Sequence, residues 1–91
     1  MMDKEDINKK IDKFTTIVIT LLEEMNGCKY TDIKTRINKD RLEVAIATCK
    51  DGYTICQEYD MNLNYVVADP MMKPMAKTLV NYIMYEFERG K

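Results

Sequence analysis

There is no histidine in this chain, and no tryptophan. The missing histidine removes the commonest general base and the commonest transition-metal ligand together. Glycine occurs three times and proline twice, too few for a Gly-rich phosphate loop or a Pro-rich linker. Three cysteines, Cys28, Cys49 and Cys56, make an odd number without a spaced framework. Free thiols in a reducing cytoplasm are the expectation, and neither a zinc site nor a thiol nucleophile fits their spacing. No apolar run approaches the roughly 20 residues of a membrane span. The charged start, Asp3-Lys4-Glu5-Asp6, lacks the apolar stretch of a signal peptide. Net charge is −1, which disfavours nucleic acid or an anionic membrane as a partner. No cofactor is expected.

What remains is a globular mixture: 46% hydrophobic and 32% charged residues in a chain of 91, one domain's worth. Lysine, isoleucine and asparagine are frequent and arginine is scarce, as in products of AT-rich genomes such as those of low-GC bacteria and their phages.

Periodicity divides the chain into an N-terminal helix, a meander of strands and a C-terminal helix. Ile7, Ile11, Phe14, Val18, Leu21 and Met25 recur at steps of four and three, the stripe of an amphipathic helix. Asp3 or Asp6 caps its start, and Asn26-Gly27 ends it. The β-branched stretch Thr15–Thr20 is a poor helix former, but the stripe runs through it.

Alternation then takes over. Ile33, Thr35 and Ile37 alternate with Lys34 and Arg36, and Leu42, Val44 and Ile46 with Glu43, Ala45 and Ala47. Asn38–Arg41 reads as one turn, and Asp51-Gly52 is a strong hairpin signal leading to Tyr53, Ile55 and Tyr59. The two turns predict a single register, with Ile37 facing Leu42, Thr35 facing Val44 and Thr48 facing Ile55. The inward face is then Ile33, Thr35, Ile37, Leu42, Val44, Ile46, Tyr53, Ile55 and Tyr59. Lys34, Arg36, Glu43, Ala45, Ala47, Cys56, Glu58 and Asp60 point outward. Cys49 and Cys56 share the outer face diagonally, too far apart for an unstrained disulfide.

Leu63, Tyr65 and Val67 also alternate, which allows a fourth strand. Asp69-Pro70 has the form of a helix start, with the regular helix expected nearer Pro74. Met75, Leu79, Ile83 and Phe87 give the last stripe, which Val80, Met84 and Tyr85 widen. The expected fold is α+β: an antiparallel meander of three or four strands packed on an N-terminal and a C-terminal helix.

Length carries the main functional expectation. A first helix of about 23 residues spans about 34 Å. A strand of about seven residues spans about 23 Å. The helix then overshoots the sheet by two turns, leaving Ile7 and Ile11 for a second chain to cover. Ile7, Ile11, Phe14, Val80 and Met84 are the candidate dimer contacts. The corresponding function is a non-enzymatic protein-interaction module, a small regulator, adaptor or phage-type inhibitor, acting as a homodimer on a protein partner. A small-ligand pocket at the dimer seam is a further reading.

The alternative starts from Lys73-Pro74-Met75-Ala76-Lys77, which resembles the lysine-rich opening of the second helix in double-stranded RNA-binding domains. The element order is similar to that family's as well. The resemblance implies RNA contacts through Lys73 and Lys77, to which the outward Lys34 and Arg36 would add phosphate contacts. The family's Gly-rich approach to that helix is missing here, and the connection from Asp60 to Asp69 is longer.

Overall fold

A computed structural model describes residues 3–90. The order is α1 (Lys4–Asn26), β1 (Lys29–Asn38), β2 (Arg41–Lys50), β3 (Tyr53–Asn62), α2 (Leu63–Val67) and α3 (Asp69–Arg89). The strands form one antiparallel meander, β1-β2-β3. The α+β expectation holds.

Helix α1 forms over the predicted span, but its buried stripe ends on Leu22: Leu21 is half-buried and Met25 is exposed, since the stripe drifts round the helix by its last turns. The Asp3 carboxylate accepts the Asp6 N–H at 2.9 Å, and Gly27 closes the helix at φ 73°, a left-handed geometry that suits a residue without Cβ. The β-branched stretch is accommodated without a break. Thr15 and Thr16 both donate their hydroxyls to the Asp12 carbonyl at 2.9 Å, while Phe14, Val18 and Leu22 are wholly buried. Tertiary burial outweighs the few tenths of a kcal/mol per residue of poor propensity.

The sheet follows the predicted register. Thr35 pairs with Val44, Ile37 with Leu42, and Thr48 with Ile55. Asp51 and Gly52 both have positive φ, 52° and 82°, as a two-residue type I′ turn requires. Leu42, Val44 and Ile46 are buried, and Ile33, Ile55 and Tyr59 pack half-buried against them. Thr35, Ile37 and Tyr53 lie on the same face but are exposed. They belong to the edge strands, whose inner faces are less buried than that of the central strand.

Each strand is ten residues long, not seven, and β1 begins already at Lys29. A bulge at its start sets Tyr30 and Thr31 against the single residue Thr48. Ten residues span about 33 Å, close to the length of α1. The expected overhang therefore disappears. Ile11 and Phe14 are buried within the one chain and Ile7 is half-buried, with α2 and α3 packed against α1.

The alternation from 63 to 67 is not a fourth strand. Asn62 caps a short helix by accepting the Asn64 N–H at 2.9 Å, and the Leu63 N–H donates to the Asp40 carbonyl in the β1–β2 turn at 2.9 Å. Leu63 and Val66 are buried three residues apart and Tyr65 is exposed, so the period is helical. Helix α3 starts at Asp69 rather than near Pro74. Pro74 sits early enough that the helix runs on without a break to Arg89.

Helices α1 and α3 run parallel on one side of the sheet. Lys10 bonds Asp69 at 2.6 Å where both begin, and the Cys28 sulfur lies 3.9 Å from that of Met84 near where both end. Among the described residues, the opposite side of the sheet carries no helix.

Candidate functional site

The helix-free face is built from every second residue of the three strands, in rows that cross them. One row is Arg36–Glu43–Asp60, the next Lys34–Ala45–Glu58, and the next Asp32–Ala47–Cys56. The row of Arg36, Glu43 and Asp60 is the one the alternation predicts.

These rows differ in how much of their charge is neutralised. Arg36 grips Glu43 through two nitrogens at 2.6 and 2.8 Å, and Asn38 adds a bond at 3.3 Å. The Arg36 hydrogen bond, then that of Asn38, holds the Glu43 carboxyl below the ordinary glutamate range. Arg41 donates to the Asp60 carboxylate at 2.8 Å and to its backbone carbonyl at 3.3 Å. This end of the face is a closed lattice of ion pairs.

The middle row is not. Among the described residues, neither Lys34 nor Glu58 has a side-chain hydrogen bond or ion pair. They stand on opposite edge strands with only the Ala45 methyl between them. Ala45 and Ala47 form a half-buried floor, so the face is a shallow open trough with a lysine on one wall and a glutamate on the other.

Of the five apolar residues expected at a dimer contact, Ile11, Phe14 and Val80 are interior, while Ile7 and Met84 are half-buried against the same core. They hold α1, the sheet and α3 together, so Ile11, Phe14 and Val80 are closed to a partner, and only part of Ile7 and of Met84 is exposed. The four basic residues of the nucleic-acid reading are not brought together. Lys34 and Arg36 lie on the helix-free face, whereas Lys73 and Lys77 are exposed on α3, across the sheet.

The cysteines lie as the register implies. Cys49 and Cys56 are diagonal on the outer face and Cys28 is buried, all three as free thiols. Burial, opposed by a hydrogen bond with Thr48, pushes the Cys28 thiol above its ordinary pKa. Burial and the nearby Glu86 raise that of Tyr59, which stacks on Tyr82 with ring centroids 6.3 Å apart. Tyr30, Tyr53, Tyr65, Tyr82 and Tyr85 are exposed. Tyr30 occupies the bulge at φ 57°, a strained geometry for a bulky residue. Among the described residues no cluster of three or more His, Cys, Asp or Glu side chains could hold a metal ion, and no helix is long and apolar enough to cross a membrane.

Alternation along the strands was enough to place Lys34 and Glu58 on one face. That they alone lack partners in their row is visible only in the side-chain geometry. The chain matches no family model, no curated protein and no solved structure.

Proposed function

We propose that this chain is a non-enzymatic protein-interaction module, a small regulator, adaptor or inhibitor, that works as a homodimer through the helix-free face of its sheet. The observation that carries this reading is the trough, where a free lysine and a free glutamate flank a floor of small side chains. The Arg36–Glu43–Asp60 end of the same face pairs its charges within the chain, so the middle row is where charge of both signs remains available to another surface. Small floor residues permit close approach of another surface, and unspent charges on the walls set its register. Support for a dimer no longer comes from an overhang of α1, whose Ile11, Phe14, Val18 and Leu22 are covered by its own chain.

The nucleic-acid alternative draws less support. Its lysines are split between two sides of the molecule, and Asp69 already occupies Lys10 beside the start of α3. A salt-sensitive gel shift with duplex RNA that Lys73→Glu and Lys77→Glu abolish would favour it instead.

Sedimentation equilibrium from low to high micromolar concentration tests the preferred reading. The wild-type chain is expected to dimerise, and Ala45→Arg, which fills the floor of the trough, to remain monomeric with an unchanged melting curve. A wild-type chain that stays monomeric throughout removes the dimer.

A further inference from the structure

We infer that the partner seated on the helix-free face is a second copy of this chain, related by a two-fold axis that runs parallel to the strands. This inference rests on the homodimer reading above and fixes its geometry.

Two sheets stacked through these faces can be related by a two-fold axis in the plane between them. If the axis runs across the strands, each strand lies over its own copy running the other way: with the axis on their own row Lys34 meets a lysine and Glu58 a glutamate, and with it midway to the next row Lys34 meets Asp32 while Glu58 meets only Cys56. If the axis runs along β2, β1 of one copy lies over β3 of the other and position along the strand is preserved. Lys34 then lies over the partner's Glu58, and Glu58 under the partner's Lys34. The same operation sets Arg36 over the partner's Asp60. Asp32 also lacks a partner on this face, but of these seatings only the strand-parallel axis pairs both Lys34 and Glu58, in two intermolecular contacts.

The remaining rows are compatible with this seating. Ala45 and Ala47 of the two central strands face each other, leaving room for sheets at about 10 Å, a gap that a lysine and a glutamate bridge between them. Glu43 approaches its own copy, but each carries its own Arg36 and Asn38. The roughly 30° angle between aligned sheets separates the two Glu43 residues further as the rows leave the centre. Asp32 lies over the uncharged Cys56 of the partner, so no row buries an unshielded like-charge contact.

Area sets the strength. Three ten-residue strands present a patch of about 33 by 14 Å, or about 460 Å² per copy. A standard interface uses about 800 Å² per partner, so this patch belongs with small, reversible contacts. The charge pairs act chiefly as a register device and make the association salt-sensitive.

Charge exchange followed by sedimentation equilibrium tests the seating. Lys34→Glu alone and Glu58→Lys alone each create two like-charged pairs per dimer and are expected to weaken self-association by about tenfold or more. An equimolar mixture of these two single variants re-forms both pairs, as heterodimers, and is expected to regain wild-type affinity. The double variant on one chain is expected to do the same. All positions are exposed, and matching melting curves establish that each variant is folded. Single variants that dimerise like wild type, or a mixture that stays monomeric, overturn this seating while leaving a dimer through another surface standing. A wild-type chain that is monomeric at high micromolar concentration overturns the seating and the dimer together.

Discussion

The two faces of the sheet are made by alternate residues of the same three strands, and they obey different constraints. On the inner face Leu42, Val44, Ile46 and Thr48 are all buried, and a one-residue slip of β2 would replace them with Glu43, Ala45, Ala47 and Cys49. Packing therefore dictates that face. The outer face has no such obligation, since small polar residues anywhere on it would leave the fold intact. A pattern that persists there, charges on the walls and methyl groups on the floor, is where a function outside the fold can be read. The same contrast runs along the outer face itself. Its Arg36–Glu43–Asp60 end is satisfied within the chain, and its middle row is not.

The largest test of this contrast is to make matched changes on the two faces of β2. Leu42→Ala should lower unfolding free energy by about 2–5 kcal/mol, because it removes wholly buried methyl groups and leaves a cavity. Ala45→Arg, three residues away on the outer face, should move it by no more than about 0.5 kcal/mol while abolishing self-association. Urea denaturation read beside sedimentation gives both quantities. If Ala45→Arg unfolds the domain, the outer face is structural and the contrast collapses.

A middle-sized effect belongs to the polar group on the inner face. Thr48 is fully buried and its hydroxyl shares a hydrogen bond of 2.8 Å with that of Thr31, which the bulge in β1 brings opposite it. Thr48→Ala should cost about 1–3 kcal/mol by leaving the Thr31 hydroxyl short of a partner. Replacing both residues with valine should recover part of that loss. Chemical denaturation of the single and double variants checks both.

The smallest effects are those of pH, and their signs differ between inside and outside. Cys28 has a raised pKa in the fold, chiefly through burial, and so does Tyr59. A protonated thiol or phenol is therefore favoured in the native state. Its contribution is complete below the ordinary value and is lost as pH rises through the folded one, so melting temperature should decline above about pH 8.5. Cys28→Ala should flatten the first part of that decline. Glu43 and Asp69 have lowered values, from Arg36 and Lys10 respectively. Their contribution is present above the ordinary carboxylate range and is lost as pH falls through their folded values. Asp69→Asn should shrink that acid limb in a pH series of thermal melts. The salt-sensitive dimer contacts of the outer face should fade with ionic strength in the same experiments.

Much of the fold was legible because local rules agreed with one another. The stripe of α1, its Asp3 and Gly27 ends, the Asp51-Gly52 hairpin and the facing of Thr35 with Val44 all follow from spacing and turn chemistry. The misreadings came from places where one residue decides. Starting β1 at Asp32 instead of Lys29 hid the bulge and shortened that strand, and strands read short created an overhang of α1 that does not exist. A bulge has no strong signature, since Tyr30 is not a residue that favours positive φ. The segment at 63–67 alternated like a strand, but Asn62 offered a cap and burial chose Leu63 and Val66.

By itself, then, the sequence determined the element order, the register of the sheet and the division of residues between its faces, because periods of two and of 3.6 are properties of neighbouring residues. It also determined that histidine chemistry has no place here. Only the tertiary structure decided that Ile11, Phe14 and Val80 are interior, that Lys34 lies across the sheet from Lys73, and that Lys34 and Glu58 are left without partners while Arg36, Glu43 and Asp60 pair. Those outcomes depend on how far each strand extends and on which side chains come within 4 Å across the sheet, distances that no local pattern encodes.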